Sequence, residues 1–244
     1  FLRPLSLAAG AAMRCLLTFV HFHLDFRLPE LDALLDLAGV EREGVYDAST
    51  FVKNTPFLVV NLPDDAAAQR ICERSILVRR IVEIWGEGSS YDEARASAAA
   101  ASKELLKKHS GAAISWSSHV DTFGRSVSAE ECDVIRRRFS HIQFEGPVRM
   151  SEPDRQFWVV EEHHVALHEG ERIPSDRAPD RVFFGRQVAA STNKSLVHRY
   201  NLKQREYLGP TSMDNQLSLI MANMAHVRPG SFVYDPFVGT GSIL

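Results

Sequence analysis

The spacing of apolar residues along the chain predicts a series of short strands and helices. Apolar runs predict strands at 14–24, 57–62, 76–85, 114–120, 156–161 and 182–189. Apolar residues at helical spacing predict helices at 28–39, 63–74, 91–108, 129–139 and 214–225. Gly86 and Gly88 are expected to end the third strand, and Gly185 to interrupt the strand at 182–189. This mixture of elements indicates an α+β N-terminal region.

The C-terminal residues predict a different kind of structure. An apolar strand at 232–234 has the character of a buried parallel strand, and "DPFVGTG" follows it directly. Glycine has no Cβ, so the backbone can approach a ligand closely and adopt a positive φ. The N-terminus of a following helix would attract negative charge. A strand that ends in Asp235 and continues into Gly239-Thr240-Gly241 therefore predicts the start of a nucleotide-type cofactor site.

Thr211 and Ser212 come just before the helix that precedes this strand. Their hydroxyl groups are expected to cap that helix, to hydrogen-bond a cofactor carboxylate, or to do both.

Composition and charge limit how the chain could bind nucleic acid. The 244 residues are 45% hydrophobic and 24% charged, which is typical of a soluble globular protein. The net charge is -3, so binding to nucleic acid must rest on a local basic patch. Arg136, Arg137, Arg138 and Arg149 are the best candidates, together with Lys107 and Lys108. A solvated helix face explains the arginine run equally well, and both interpretations stay open.

Cysteine and histidine usage gives no sign of a disulfide framework or a metal site. Cys15, Cys72 and Cys132 are widely spaced, which favours reduced thiols in a cytoplasmic protein. His163, His164 and His168 match no metal-binding motif, so no metal is expected.

Several segments resemble the catalytic subunit of the eukaryotic tRNA (guanine-10-N2) methyltransferases. The strongest resemblance is "YLGPTSMDNQLSLIMANMAHVRPGSFVYDPFVGTGSIL", which looks like the start of that family's methyltransferase domain. "MRCLLTFVHFHLDFRLPELDALLDLAG", from Met13, is similar to the family's N-terminus. "FEGPVRMSEPDRQFWVVEE" and "VFFGRQVA" fit its THUMP RNA-binding region and the stretch after it.

The resemblance implies a fold and an activity. An α+β N-terminal domain (13–88) and a THUMP-like RNA-binding region (89–190) would lead through a connector (191–210) into the start of an α/β Rossmann-like methyltransferase domain (211–244). Family members transfer a methyl group from S-adenosylmethionine to N2 of guanine 10 in tRNA, and they work with a small zinc-binding activator subunit. The residues that match the family's cofactor pocket are Thr211, Ser212, Asp235, Pro236, Phe237, Gly239 and Gly241.

The family's catalytic signature, which resembles (Asn/Asp)-Pro-Pro-aromatic, is absent from this sequence. Asn61-Leu62-Pro63-Asp64 is the nearest match, and it is interpreted as a strand end with a helix cap. The chain is therefore expected to be a truncated form of the enzyme, inactive by itself. Two alternatives are a non-catalytic tRNA-binding module and a related THUMP methyltransferase that acts at another tRNA position. Residues 1–12 are interpreted as a leader ahead of Met13, or as an organelle-targeting peptide.

Overall fold

A computed structural model describes residues 12–163, 177–201, 212–239 and 241. Residues 1–11 of the predicted leader, the loop that contains His164 and His168, residues 202–210 of the predicted connector (191–210), Thr211 and Thr240 lie outside these residues. The strands are β1 (Met13–Phe19), β2 (Phe57–Leu62), β3 (Val78–Gly88), β4 (Trp116–Phe123), β5 (Arg155–Glu162) and β6 (Arg181–Ala190). The helices are α1 (Arg27–Ala38), α2 (Asp65–Arg74), α3 (Tyr91–His109), α4 (Ala129–Arg137), α5 (Asn193–Arg199) and α6 (Asn215–Met224).

The chain divides into two compact units. Unit 1 consists of Phe1–Ile81 and Val188–Leu244, and unit 2 of Val82–Gln187. Strands β3 and β6 contribute residues to both units. The predicted domain boundaries at residues 88 and 190 stay predictions. No helix among the described residues is long and apolar enough to span a membrane.

Unit 1 packs helices against strands in the order β2-β1-β3. Strand β1 pairs antiparallel with β2, from Met13 opposite Leu62 to Thr18 opposite Phe57. Helix α1 buries one apolar stripe and ends at Gly39, whose φ of 73° suits a residue without Cβ. Helix α2 begins after Asp64, which accepts a hydrogen bond from the Ala67 N–H. These helices and strands share one hydrophobic core, to which α6 contributes Ile220.

Unit 2 packs α3 and α4 against strands in the order β3-β6-β5-β4. Strands β4 and β5 are parallel, and β5 and β6 are antiparallel. Helix α4 begins in a capping box between Ser128 and Glu131, which satisfies two backbone N–H groups. The core is aromatic and is centred on Trp85, Phe139, Phe157 and Phe184.

The predictions that Gly86 ends its strand and that Gly185 interrupts its strand are wrong, because each lies inside a continuous strand, whereas Gly88 is the last residue of β3 as predicted. A Cβ on Gly86 would overlap with the Ala94 carbonyl oxygen of α3, and one on Gly185 with the Glu83 carbonyl oxygen of β3. Close approach of another backbone, rather than strand termination, is what requires glycine at these positions.

The predicted strand at 232–234 is also wrong, since residues 231–235 have no regular secondary structure. A strand is stabilised by hydrogen bonds to a neighbouring strand, and none of the described strands pairs with these residues. Conversely, the structure has a helix, α5, at the start of the predicted connector, where no helix was predicted. The α+β class of the N-terminal region is confirmed. The predicted strand at 14–24 is too long, because β1 ends at Phe19 and a 3-10 turn follows at Leu24–Phe26. The other elements lie within a few residues of their predicted positions.

Candidate functional site

The first candidate site is a cleft in unit 2 that we call the arginine cleft. It has a volume of about 370 Å³ and combines an aromatic interior with two arginines. It is lined by Trp116, Ser118, Arg136, Arg137, Phe139, Ser140, Ile142, Phe144, Val148, Met150 and Phe184.

Helix α4 places the two arginines at the edge of the cleft. Arg136 is half-buried, donates from Nη1 to the Ser118 carbonyl oxygen at 3.4 Å, and forms an ion pair with Asp133. Arg137 is exposed and forms no ion pair with a described carboxylate. Arg137 can therefore contact an anionic ligand without first losing a protein partner.

A segment beside strand β4 forms the other edge of the cleft. The Trp116 N–H donates to the Pro147 carbonyl oxygen at 3.0 Å, and the Arg149 N–H donates to the Trp116 carbonyl oxygen at 2.8 Å. These bonds fix the backbone of the segment from Val148 to Met150. Val148 and Met150 line the cleft, and Arg149 lies between them in sequence. Met150 is 62% exposed, which is unusual for a large apolar side chain. Arg149 is exposed as well.

The aromatic interior of the cleft is held rigidly. The rings of Trp116 and Phe144 lie 4.7 Å apart, and Phe144 lies 4.1 Å from the buried ring of Phe157. The Trp116 indole N–H donates to the Gly146 carbonyl oxygen at 2.9 Å. A fixed aromatic surface beside exposed arginines is suited to an unstacked nucleobase and its phosphate.

Arg138 belongs to a different cleft, although it follows Arg137 directly. Its guanidinium lies 4.4 Å from the centre of the Tyr91 ring, at a second cleft of about 600 Å³. The Tyr91 hydroxyl donates to the buried carboxylate of Glu161, and burial raises the pKa of Tyr91 well above its ordinary value. Arg125 also donates to Glu161, from Nε to Oε2 at 3.0 Å. The arginine run thus divides, with Arg136 and Arg137 on one cleft and Arg138 on the other.

Unit 1 contains the described residues of the predicted cofactor site. Asp214, rather than Ser212, caps α6, because its carboxylate accepts hydrogen bonds from Gln216 N at 3.0 Å and Leu217 N at 3.2 Å. The capping prediction for Ser212 is therefore wrong, and Ser212 lies two residues before the cap.

The segment after α6 forms a succession of turns. The Asp235 carboxylate accepts a hydrogen bond from Phe237 N at 2.8 Å, which bends the chain around Pro236. Gly239 and Gly241 have φ values of 50° and 69°, and Gly241 N donates to the Val238 carbonyl oxygen at 2.6 Å. The glycine-rich turn therefore uses the left-handed backbone conformation that glycine permits.

This turn is compatible with a cofactor. A Cβ on Gly239 would meet only the Phe237 carbonyl oxygen, at 3.7 Å, among the residues that the structure describes. The backbone is therefore open to a ligand on that side. The surrounding apolar side chains are uncovered, since Phe232 is 93% and Phe237 91% exposed.

The aromatic residues of the arginine cleft and the segment from Val148 to Met150 were not predicted from the sequence. The available signal was the sequence "GPVRM", which lies between two apolar strands and follows Phe144. The burial of Glu30 and Asn223 next to each other was not predicted either, because the two residues are far apart in sequence.

Comparison with known proteins gives matches over most of the chain. The model "Tmrp11 THUMP N-terminal domain" matches residues 13–193, and "RMKL-like, methyltransferase domain" matches residues 203–244. The tRNA (guanine(10)-N(2))-methyltransferase of Saccharomyces cerevisiae is 38% identical over 94% of this chain and 51% of its own length. The tRNA (guanine(10)-N(2))-methyltransferase TRMT11 of Gallus gallus is 32% identical over 97% of this chain and 50% of its own length.

Among solved structures, TrmN from Thermus thermophilus is similar with a TM-score of 0.46 and 15% identity, over 94% of this chain and 60% of that one. The chain spans about half the length of the curated relatives it matches. The Tmrp11 THUMP N-terminal model covers most of the chain, and residues 203–244 are similar to the RMKL-like methyltransferase domain. The chain therefore belongs to the family of Tmrp11 THUMP N-terminal domains.

Proposed function

We propose that this protein acts in the transfer of a methyl group from S-adenosylmethionine to N2 of guanine 10 in tRNA. The observation that carries the proposal is the similarity, over nearly the whole chain, to two tRNA (guanine(10)-N(2))-methyltransferases. The geometry of both candidate sites supports it, since one suits RNA and the other suits a nucleotide-type cofactor.

The arginine cleft and Arg149 are the proposed contacts for tRNA. Arg136, Arg137 and Arg149 would pair with phosphates, and the Trp116 and Phe144 rings would receive an unstacked base. Arg138 is a weaker candidate, because its guanidinium already stacks on Tyr91.

The proposed residues for S-adenosylmethionine are Thr211, Ser212, Asp235, Pro236, Phe237, Gly239 and Gly241. The left-handed backbone at Gly239 allows close approach of the cofactor, and the Asp235 carboxylate has a free oxygen to accept a hydrogen bond. When bound, S-adenosylmethionine supplies an electrophilic methyl group on its sulfonium. The residues of this chain would hold and orient it.

Guanine 10 must leave its stack to reach such a donor, at a cost of a few kcal/mol. The RNA contacts of unit 2 would offset that cost by holding the tRNA body. The partner would be a small zinc-binding activator subunit, as the resemblance implies. The compartment would be the cytoplasm, in agreement with three free cysteines.

The test measures methyl transfer from labelled S-adenosylmethionine to tRNA. It uses the full-length protein together with the activator subunit. One substrate carries guanine at position 10, and a matched control carries inosine, which has no N2 amino group. We expect labelling of the guanine substrate only. Equal labelling of both tRNAs would place the reaction elsewhere. Tight tRNA binding without any labelling would favour a non-catalytic tRNA-binding module.

A further inference from the structure

A buried polar network in unit 1 joins the two N-terminal helices to the end of α6. Glu30 lies on α1, Arg74 ends α2, and Asn223 lies in the last turn of α6. Glu30 is 0% exposed, and Asn223 is also buried. The residues that meet here are separated by up to 193 positions in sequence.

The Glu30 carboxylate is the centre of this network. Its oxygens accept hydrogen bonds from Asn223 Nδ2 at 2.9 Å, from Ser75 Oγ at 2.8 Å, and from the N–H groups of Ile76 and Leu77 at 2.9 Å each. Burial raises the pKa of Glu30, and these four hydrogen bonds act in the opposite direction. The carboxylate thus has a complete set of donors, and one of them comes from α6.

Arg74 extends the network to the chain beyond α6. Its Nε donates to Asn223 Oδ1 at 3.2 Å, and its Nη1 donates to the Val227 carbonyl oxygen at 2.8 Å. Asn223 Nδ2 also donates to the Arg74 carbonyl oxygen at 2.9 Å. Val227 lies in the turn that leads to Asp235 and Gly239. The guanidinium therefore holds both the end of α6 and the first part of residues 225–239, which we call the cofactor segment because they lead to Asp235 and Gly239.

Stability alone does not account for such a network. A buried ionic group is often no more stabilising than apolar residues of the same volume, because desolvation offsets the attraction. What directional hydrogen bonds supply in addition is a fixed position and rotation of α6. The neighbouring ion pair between His226 and Asp36, at 3.4 Å, is half-exposed and adds little.

We propose that Glu30, Arg74 and Asn223 form a clamp by which the N-terminal helices position the cofactor segment. In this account Glu30, Arg74 and Asn223 are positioning residues. They do not touch the cofactor, but they set the place of residues 225–239 and thereby the affinity for S-adenosylmethionine. The last part rests on the proposed function, whereas the positioning itself does not.

The first test is hydrogen–deuterium exchange on this chain, with Arg74→Ala and the matched control Arg70→Ala. Arg70 lies on the same helix and also donates to a backbone carbonyl, that of Ala38 at 3.2 Å, but it has no bond to α6. We expect Arg74→Ala to speed exchange at residues 225–231 by about tenfold, as loss of one or two hydrogen bonds would. Arg70→Ala should leave those amides unchanged. Equal protection in wild type and folded Arg74→Ala, or equal loss in both variants, would overturn the clamp.

If circular dichroism shows that Arg74→Ala does not fold, Arg74→Gln is used in its place, because glutamine keeps most of the aliphatic stem of arginine.

The second test measures KM and kcat in the methyl-transfer assay described above. We expect Arg74→Ala to raise KM for S-adenosylmethionine about tenfold, with KM for tRNA and kcat within about twofold, since a 1.4 kcal/mol loss of cofactor binding is tenfold. A rise in both KM values, or in the Arg70→Ala enzyme, would contradict a positioning role. An inactive wild type would refute the proposed function and leave the exchange result to decide the clamp.

Discussion

The arginine cleft of unit 2 and the cofactor segment of unit 1 both contain aromatic and aliphatic side chains, but they differ in what supports those side chains. In the cleft, Phe144 rests on the buried ring of Phe157, and the Trp116 indole is hydrogen-bonded to backbone. In the cofactor segment, Phe232 and Phe237 are almost fully exposed, although the sequence at 232–234 has the pattern of a buried strand. An apolar sequence thus forms a surface suited to binding only where other elements cover its back. The first region is a preformed cleft, and the second is a set of turns held mainly through α6.

The largest expected effect comes from Gly185, in the core behind the arginine cleft. Gly185→Ala would push a Cβ into the Glu83 backbone, which a rotamer change cannot relieve. We expect a loss of about 3 kcal/mol in the free energy of unfolding, at the upper end for overpacking. Gly111→Ala is the control, because its Cβ would lie 3.6 Å from the nearest atom. Urea unfolding of both variants checks this, and equal midpoints would show that the backbone contact is not tight.

The next effect is a pH dependence that arises in unit 2. His109 is 4% exposed, and its burial, together with the nearby charge of Arg186, lowers its pKa to about 4 from the ordinary 6.5. The unfolded chain therefore takes up this proton at a higher pH than the folded chain. The contribution of neutral His109 to stability is present above about pH 6.5 and is lost as the pH falls toward 4.

The expected loss between pH 7 and pH 4.5 is on the order of 2 kcal/mol. His109→Gln should make this decline shallower, because Gln does not titrate. Urea unfolding at the two pH values measures it. The same decline in wild type and variant would assign the acid sensitivity to other groups.

Charge reversal in the arginine run has a smaller expected effect, and its effect on tRNA affinity distinguishes the two clefts of unit 2. Arg137→Glu with Arg149→Glu should weaken tRNA binding by more than about tenfold at low salt, since two phosphate contacts become repulsive. Arg138→Glu should weaken it by about twofold or less, because Arg138 stacks on Tyr91 at the other cleft. Fluorescence anisotropy with labelled tRNA compares the three proteins. A larger effect from Arg138 would move the RNA site to the second cleft.

The smallest effect is expected in the cofactor segment. Gly239→Ala should destabilise the local backbone conformation by about 1 kcal/mol, because a φ of 50° is unfavourable for alanine. The segment is not packed into a core, so the melting temperature of the chain should not change. For the same reason, calorimetric titration of S-adenosylmethionine onto this chain should give no measurable heat. A lower melting temperature or a clear binding isotherm would show that the segment is better supported than its exposure indicates.

Patterns within a single element were enough to predict much of the fold. The strand at 57–62 matches β2, and the apolar stripe that ends at Gly39 matches α1, since spacing and end signals depend on neighbouring residues. Gly86 and Gly185 could not be interpreted correctly, because their reason is another backbone brought near by folding. The predicted strand at 232–234 does not form, because a strand needs a neighbouring strand to pair with, and an apolar run alone does not supply one.

The candidate sites follow the same division. Arg136, Arg137 and Arg149 are predicted from the sequence as a basic patch, but no sequence feature separates Arg138 from them. The clamp could not be found, since Glu30 and Asn223 meet only through tertiary packing. Whether the predicted cofactor residues bind S-adenosylmethionine stays a prediction.

The most direct test of the account is the affinity of this chain for tRNA as a function of salt. If the preformed arginine cleft is the tRNA site, the chain should bind tRNA without any cofactor. The logarithm of the association constant should fall linearly with the logarithm of the salt concentration. Arg137→Glu with Arg149→Glu should reduce the slope by about 1.4–1.8, which is two phosphates at 0.7–0.9 each. Absence of binding at low salt, or an unchanged slope in the double variant, would contradict the claim that this cleft holds tRNA.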